Sequence, residues 1–84
     1  MKYNATVEVT LRPSVLDPAG VAVAQGLVHM GYPVGSVRIG KLIRLEVEAP
    51  DEETAQRLVR QMGEQVLSNP VIENYELHRL DSAL

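Results

Sequence analysis

The sequence contains no cysteine, phenylalanine or tryptophan, and its only aromatic residues besides histidine are three tyrosines. Without cysteine there can be no disulfide, thiolate metal site or cysteine nucleophile, and the composition fits a reducing compartment. Long apolar runs are missing too. None approaches the eighteen or more residues of a membrane span, and Met1-Lys2 leads into an alternating segment instead of a signal-peptide core, so a soluble, cytoplasmic protein is expected. Positive charge is in the minority: eight lysines and arginines face eleven acids, for a net charge of -3. That balance disfavours broad binding to nucleic acid or anionic membrane.

What remains is an ordinary globular composition, 45% apolar and 23% charged over 84 residues. Such a chain is long enough for one core and too short for two. Charge is unevenly placed, because Arg38, Lys41 and Arg44 share a stretch without acids while Glu46, Glu48, Asp51, Glu52 and Glu53 follow at once.

Periodicity supplies the elements. From Tyr3 to Leu11 apolar and polar residues alternate strictly, which predicts a half-buried strand with Tyr3, Ala5, Val7, Val9 and Leu11 on one face. Asp17 is placed to cap a helix with Pro18 at its first position, and Leu16 and Val21 are placed for a hydrophobic staple. This helix runs to about Met30, with Ala24, Leu27, Val28 and Met30 on or near one face, and Gly31 suits the left-handed residue that ends it. Gly20 and Gly26 weaken it, each by roughly 1 kcal/mol relative to alanine, so tertiary packing must hold it.

Val37 and Ile39, then Ile43, Leu45, Val47 and Ala49, predict two short strands joined around Gly40. A three-residue loop of Gly40, Lys41 and Leu42 would oppose Ile39 to Ile43 and Val37 to Leu45, keeping apolar residues on one face. Asp51 caps a second helix whose Ala55, Leu58, Val59, Met62 and Val66 recur at helical spacing, and Ser68-Asn69-Pro70 ends it. A last strand, about Ile72 to Leu80, alternates less cleanly, with Tyr75 and Leu77 facing inward. The expected fold is therefore α+β: a ferredoxin-like βαββαβ chain, its four-stranded antiparallel sheet carrying both helices on one face. The open face would hold Asn4, Thr6, Glu8, Thr10, Arg44, Glu46, Glu48, Glu76 and His78. Unpaired edges make self-association plausible.

A search for chemistry finds little. His29 and His78 have no sequence-local partner that would make a metal site. The four serines lie in turns or the tail, outside any nucleophile-elbow pattern. Arg38-Ile39-Gly40-Lys41 lacks the spacing of a phosphate-binding loop and does not open a helix. RNA-binding versions of this fold stack bases on open-face aromatics, which this chain does not supply. No catalytic, cofactor-binding or metal-ligating residue is assigned. The basic stretch is read as a solvated hairpin tip or as a docking point for an acidic partner surface.

Over nearly its whole length the chain resembles the PurS family, the small subunits of phosphoribosylformylglycinamidine (FGAM) synthase. The resemblance rests on "VTLRPSVLDPAG", "LVHMGYP", "VRIGKLIRLEVEA" and "NPVIENYEL". The matching positions are Pro13, Leu16, Asp17, Pro18, Gly20, Gly31, Tyr32, Arg38, Gly40, Lys41, Asn69 to Glu73, and Tyr75. The resemblance implies a single domain over 1–84 with an ordered core from about 2 to 80. It also implies a subunit without an active site or cofactor of its own, in a complex whose large synthetase subunit uses ATP and Mg to convert formylglycinamide ribonucleotide to its amidine. Such a subunit bridges that synthetase and a glutaminase subunit, assists ammonia transfer, and works as a homodimer or tetramer. Most matching residues are helix and turn punctuation. Arg38, Gly40, Lys41, Arg44 and Tyr75 are the expected partner-docking set. The competing expectation is a free-standing, ACT-like regulatory module binding a small metabolite at a dimer interface.

Overall fold

The computed structural model describes residues 1–83. Its centre is β1 (Lys2–Leu11), flanked by β2 (Gly40–Glu48) and β3 (Glu73–Ser82) in an antiparallel sheet of order β2-β1-β3. The two helices are α1 (Pro18–His29) and α2 (Glu52–Met62), and α2 continues into a π-helical turn, Gly63–Leu67.

Alternation along β1 does what its sequence requires. Tyr3, Ala5, Val7 and Val9 are buried, and they are matched row by row on β2 by Val47, Leu45, Ile43 and Lys41. On β3, Tyr75 stands opposite Val9, Leu77 opposite Val7 and Leu80 opposite Ala5. Covering this face is α2, whose Ala55 and Val59 are fully buried. The Asp51 carboxylate caps it by accepting the Thr54 N–H at 2.7 Å, which holds the carboxyl below its usual pKa. Glu52 and Glu53 occupy the positive end of its dipole. At the π-turn, Gly63 lies against the Tyr75 ring so closely that an added Cβ would sit 2.7 Å from it.

The irregular alternation of β3 has a local cause. Val7 faces Leu77 but Thr6 faces Arg79, so β3 spends two residues where β1 spends one, and His78 is the extra residue of a β-bulge. That shift returns Leu80 to the inner face.

The sheet has three strands where four were expected, and the hairpin around Gly40 does not form. Residues 33–39 are irregular, and β2 starts at Gly40 by pairing with β1. Pairing with β1 keeps Ile43, Leu45 and Val47 on the inner face just as a hairpin would, so facial alternation could not distinguish the two partners. Hydrogen bonds decide it. Asp17 accepts the Ile39 N–H at 2.7 Å, and Arg38 reaches back to the carbonyls of Arg12 and Val15 at 3.0 and 2.9 Å, holding the segment along α1.

Nor do both helices cover one face. α2 packs on all three strands, whereas α1 makes no comparable contact with the sheet or with α2. The chain is long and thin, 51 × 29 × 13 Å, with a radius of gyration of 16.3 Å, against about 12 Å for a compact chain of this length. Residues 12–39 thus form an arm: a turn, α1, and an irregular return along it.

Candidate docking surface

The arm is built around Asp17. Its side chain accepts the Gly20 N–H at 2.9 Å, capping α1, and the Ile39 N–H on its other oxygen, tying the return segment to the start of the helix. It is buried. The Ile39 bond, the Gly20 bond and then the Arg38 charge hold its pKa below the ordinary aspartate value, against the opposing effect of desolvation. Gly20 is required here by close approach, since a Cβ would lie 2.1 Å from the Val37 carbonyl oxygen. At the far end, Gly31 adopts φ 95°, its N–H bonds the Val28 carbonyl, and the Tyr32 N–H bonds the Leu27 carbonyl. These paired bonds form a Schellman stop.

Between α1 and the return runs an open groove of about 500 Å³, lined by Leu16, Val21, Ala24 and Val28 on one side and Gly35, Ser36, Val37 and Arg38 on the other. Leu16 and Val21, the expected staple pair, both face this groove. The rest of α1 offers little polar surface: from Pro18 to His29 it has no aspartate, glutamate, lysine or arginine, and Gln25 and His29 are its polar side chains. Val21, Val23 and Val28 are 43%, 43% and 54% exposed, and Met30 is 73% exposed. A helix that is apolar all round belongs in an interior, and an isolated helix of this length is marginal in water. Its own sheet does not cover it.

The five expected docking residues are not brought together as a tip. Arg38 has its guanidinium on backbone carbonyls of the arm. Gly40 is where β2 meets β1, and a Cβ there would lie 2.6 Å from the Val9 carbonyl oxygen. Tyr75 is a half-buried core residue packed against Gly63. Lys41, opposite Val9 on β2, lies 3.9 Å from Glu73 with its side chain 69% exposed. Arg44 sits on the open face beside Thr6. Lys41 and Arg44 therefore keep accessible charged heads, while Arg38, Gly40 and Tyr75 already serve the fold.

The apolar side of α1 was the feature that residue-by-residue motif reading passed over. Its signal was present in "PAGVAVAQGLVH", twelve residues without one charged side chain other than a terminal histidine.

A small α+β chain with an uncovered helical arm is, as a class, a component of an assembly. Its sequence and structure place it in a known family: a model for PurS, described as phosphoribosylformylglycinamidine (FGAM) synthase, matches residues 4–81. The chain belongs to the PurS family. It is 54% identical to the PurS subunit of Synechocystis, over 98% of this chain and 85% of that protein, and 46% identical to that of Bacillus subtilis, over 87% of each. The structure of Thermus thermophilus PurS superposes with a TM-score of 0.89 at 36% identity, covering 100% of both chains. A chain of PurLQS from Thermotoga maritima superposes at 0.85 with 38% identity, covering 93% of this chain and 96% of that one.

Proposed function

We propose that this chain is the non-catalytic small subunit of an FGAM synthase complex in purine biosynthesis, a single domain that bridges synthetase and glutaminase subunits and assists ammonia transfer. The observation that carries the reading is the arm: a charge-free helix held rigidly by Asp17, Arg38 and the Schellman stop, yet left uncovered by its own sheet. Its first cover is a second copy of the chain, because the exposed valines of α1 and the apolar groove beside it recur on every copy and would be buried together. In the dimer or tetramer so formed, Lys41 and Arg44 remain available for the synthetase subunit.

Ammonia is trapped as ammonium in bulk water, so its transfer needs two active sites enclosed and aligned. A rigid adaptor does this without chemistry of its own, and ATP and Mg are used by the synthetase. The setting is the cytoplasm. Omitting this subunit from the reconstituted complex is expected to depress glutamine-dependent turnover far more than turnover with high exogenous ammonia. Equal loss with both nitrogen sources would mean that it organises the synthetase site instead. Replacing Lys41 with alanine is expected to weaken complex assembly while leaving self-association intact; unchanged assembly would remove Lys41 from the interface.

The groove also admits a second reading as a metabolite pocket, since Asp17, Gln25, His29 and Arg38 put polar groups among its apolar walls. A ligand binding there would raise the melting temperature, so thermal-shift screening with amino acids and purine intermediates separates the two.

A further inference from the structure

On the open face of the sheet, away from the arm, Glu8 of β1 and Glu76 of β3 stand directly opposite each other. Like charges in that position repel. Of the cations nearest this pair, Arg79 turns to Asp81, its Nε donating at 2.6 Å, while Arg44 stands beside Thr6 on β2. Among the described residues, the contact of these glutamates with a basic side chain is the one between Glu8 and His78, whose Nε2 lies against a carboxylate oxygen of Glu8. The bulge supplies that contact, because His78 is the additional residue between Leu77 and Arg79. One ligand atom from each of Glu8, Glu76 and His78 lies within 4.8 Å of the other two.

We infer that these three side chains form a binding site for one divalent transition ion of the Zn²⁺ type, with water completing the coordination. Two carboxylate oxygens and one imidazole nitrogen suit such an ion, and three protein ligands plus an open position is a common arrangement for it. With metal–ligand bonds of about 2.0–2.2 Å, neighbouring donors stand roughly 3.4 Å apart. Rotation of the two glutamate side chains on this solvent-facing surface would adjust the set to that spacing, parting the Glu8–His78 contact, which is closer than that. The imidazole selects against Mg²⁺, which prefers oxygen ligands and keeps several of its waters. On binding, the Nε2 lone pair goes to the ion, and any proton held between Nε2 and Glu8 leaves to water. The ion also removes the Glu8–Glu76 repulsion.

The test is calorimetric titration of the full chain with Zn²⁺ and, in parallel, Mg²⁺, accompanied by ring-nitrogen NMR of the two histidines. The expected result is one equivalent of Zn²⁺ bound, with the ring signals of His78 shifted and those of His29 unmoved, and no comparable Mg²⁺ binding. Glu76→Gln and His78→Gln should each weaken Zn²⁺ binding by more than about tenfold, since losing a direct ligand exceeds the effect of losing an outer-shell partner. His29→Ala should leave it unchanged. Far-UV circular dichroism establishes that the variants are folded. The inference is overturned if the wild type takes up no Zn²⁺, if Glu76→Gln and His78→Gln bind it as the wild type does, if binding follows His29, or if Mg²⁺ binds as tightly.

Discussion

The two helices have nearly the same length, 12 and 11 residues, and opposite surfaces. α2 divides its residues: Ala55 and Val59 are buried against the sheet, while Glu52, Glu53, Arg57 and Arg60 face water. α1 makes no such division. Its one buried residue is Gly20; Val21 and Val28 line the open groove and Val23 is exposed as well. An amphipathic helix finds its cover within the chain that encodes it, and a uniformly apolar one needs cover from elsewhere. One helix therefore builds the fold, and the other leaves apolar surface that its own sheet does not cover.

The comparison can be broken most severely at Val59, which is 1% exposed at the centre of the α2 face. Val59→Asp buries an unpaired carboxylate and is expected to cost more than about 4 kcal/mol, most of the stability available to a domain of this size. Loss of the cooperative thermal transition would show it. A smaller effect is expected at Gly63, where alanine would press on the Tyr75 ring. Gly63→Ala should lower stability by about 1–3 kcal/mol in chemical denaturation and leave self-association intact.

Gly20→Ala is the counterpart on the arm. Its Cβ would meet the Val37 carbonyl at 2.1 Å, so α1 should part from the return segment. Sedimentation should report weaker self-association while the melting of the sheet and α2 changes little.

Acid gives the smallest effect. Because the folded state holds the Asp17 pKa below its unfolded value, its contribution is fully present above the unfolded pKa of about 3.9 and is lost as pH falls through the lower folded value. Hydrogen exchange in the arm should accelerate over that window, and Asp17→Asn should remove that dependence.

Local punctuation was legible in the sequence. Asp17, Pro18, Gly31 and Asp51 do what their types suggest, because capping and left-handed turns depend on a few adjacent residues. Tyr75 and Leu77 face inward as their alternation suggests, and the bulge at His78 explains why that alternation falters. The partner of β2 was not legible. Ile43, Leu45 and Val47 give the same inner face whether they pair with residues 37–39 or with β1, and the choice rests on Asp17 and Arg38 reaching 22 and 26 residues along the chain. The expected hairpin tip does not form for the same reason: Arg38, Gly40 and Tyr75 look spare in one dimension and make contacts within the fold in three.

The central claim, that α1 is covered by another copy of the chain, is tested most directly by sedimentation equilibrium on the wild type and on a Val21→Glu/Val28→Glu variant. The wild type is expected to be a dimer or tetramer at micromolar concentration. The variant, which would bury two carboxylates in an apolar contact, is expected to dissociate at least about a hundredfold more readily, with the melting of the sheet and α2 retained. A monomeric wild type, or a variant that assembles as the wild type does, would contradict the account.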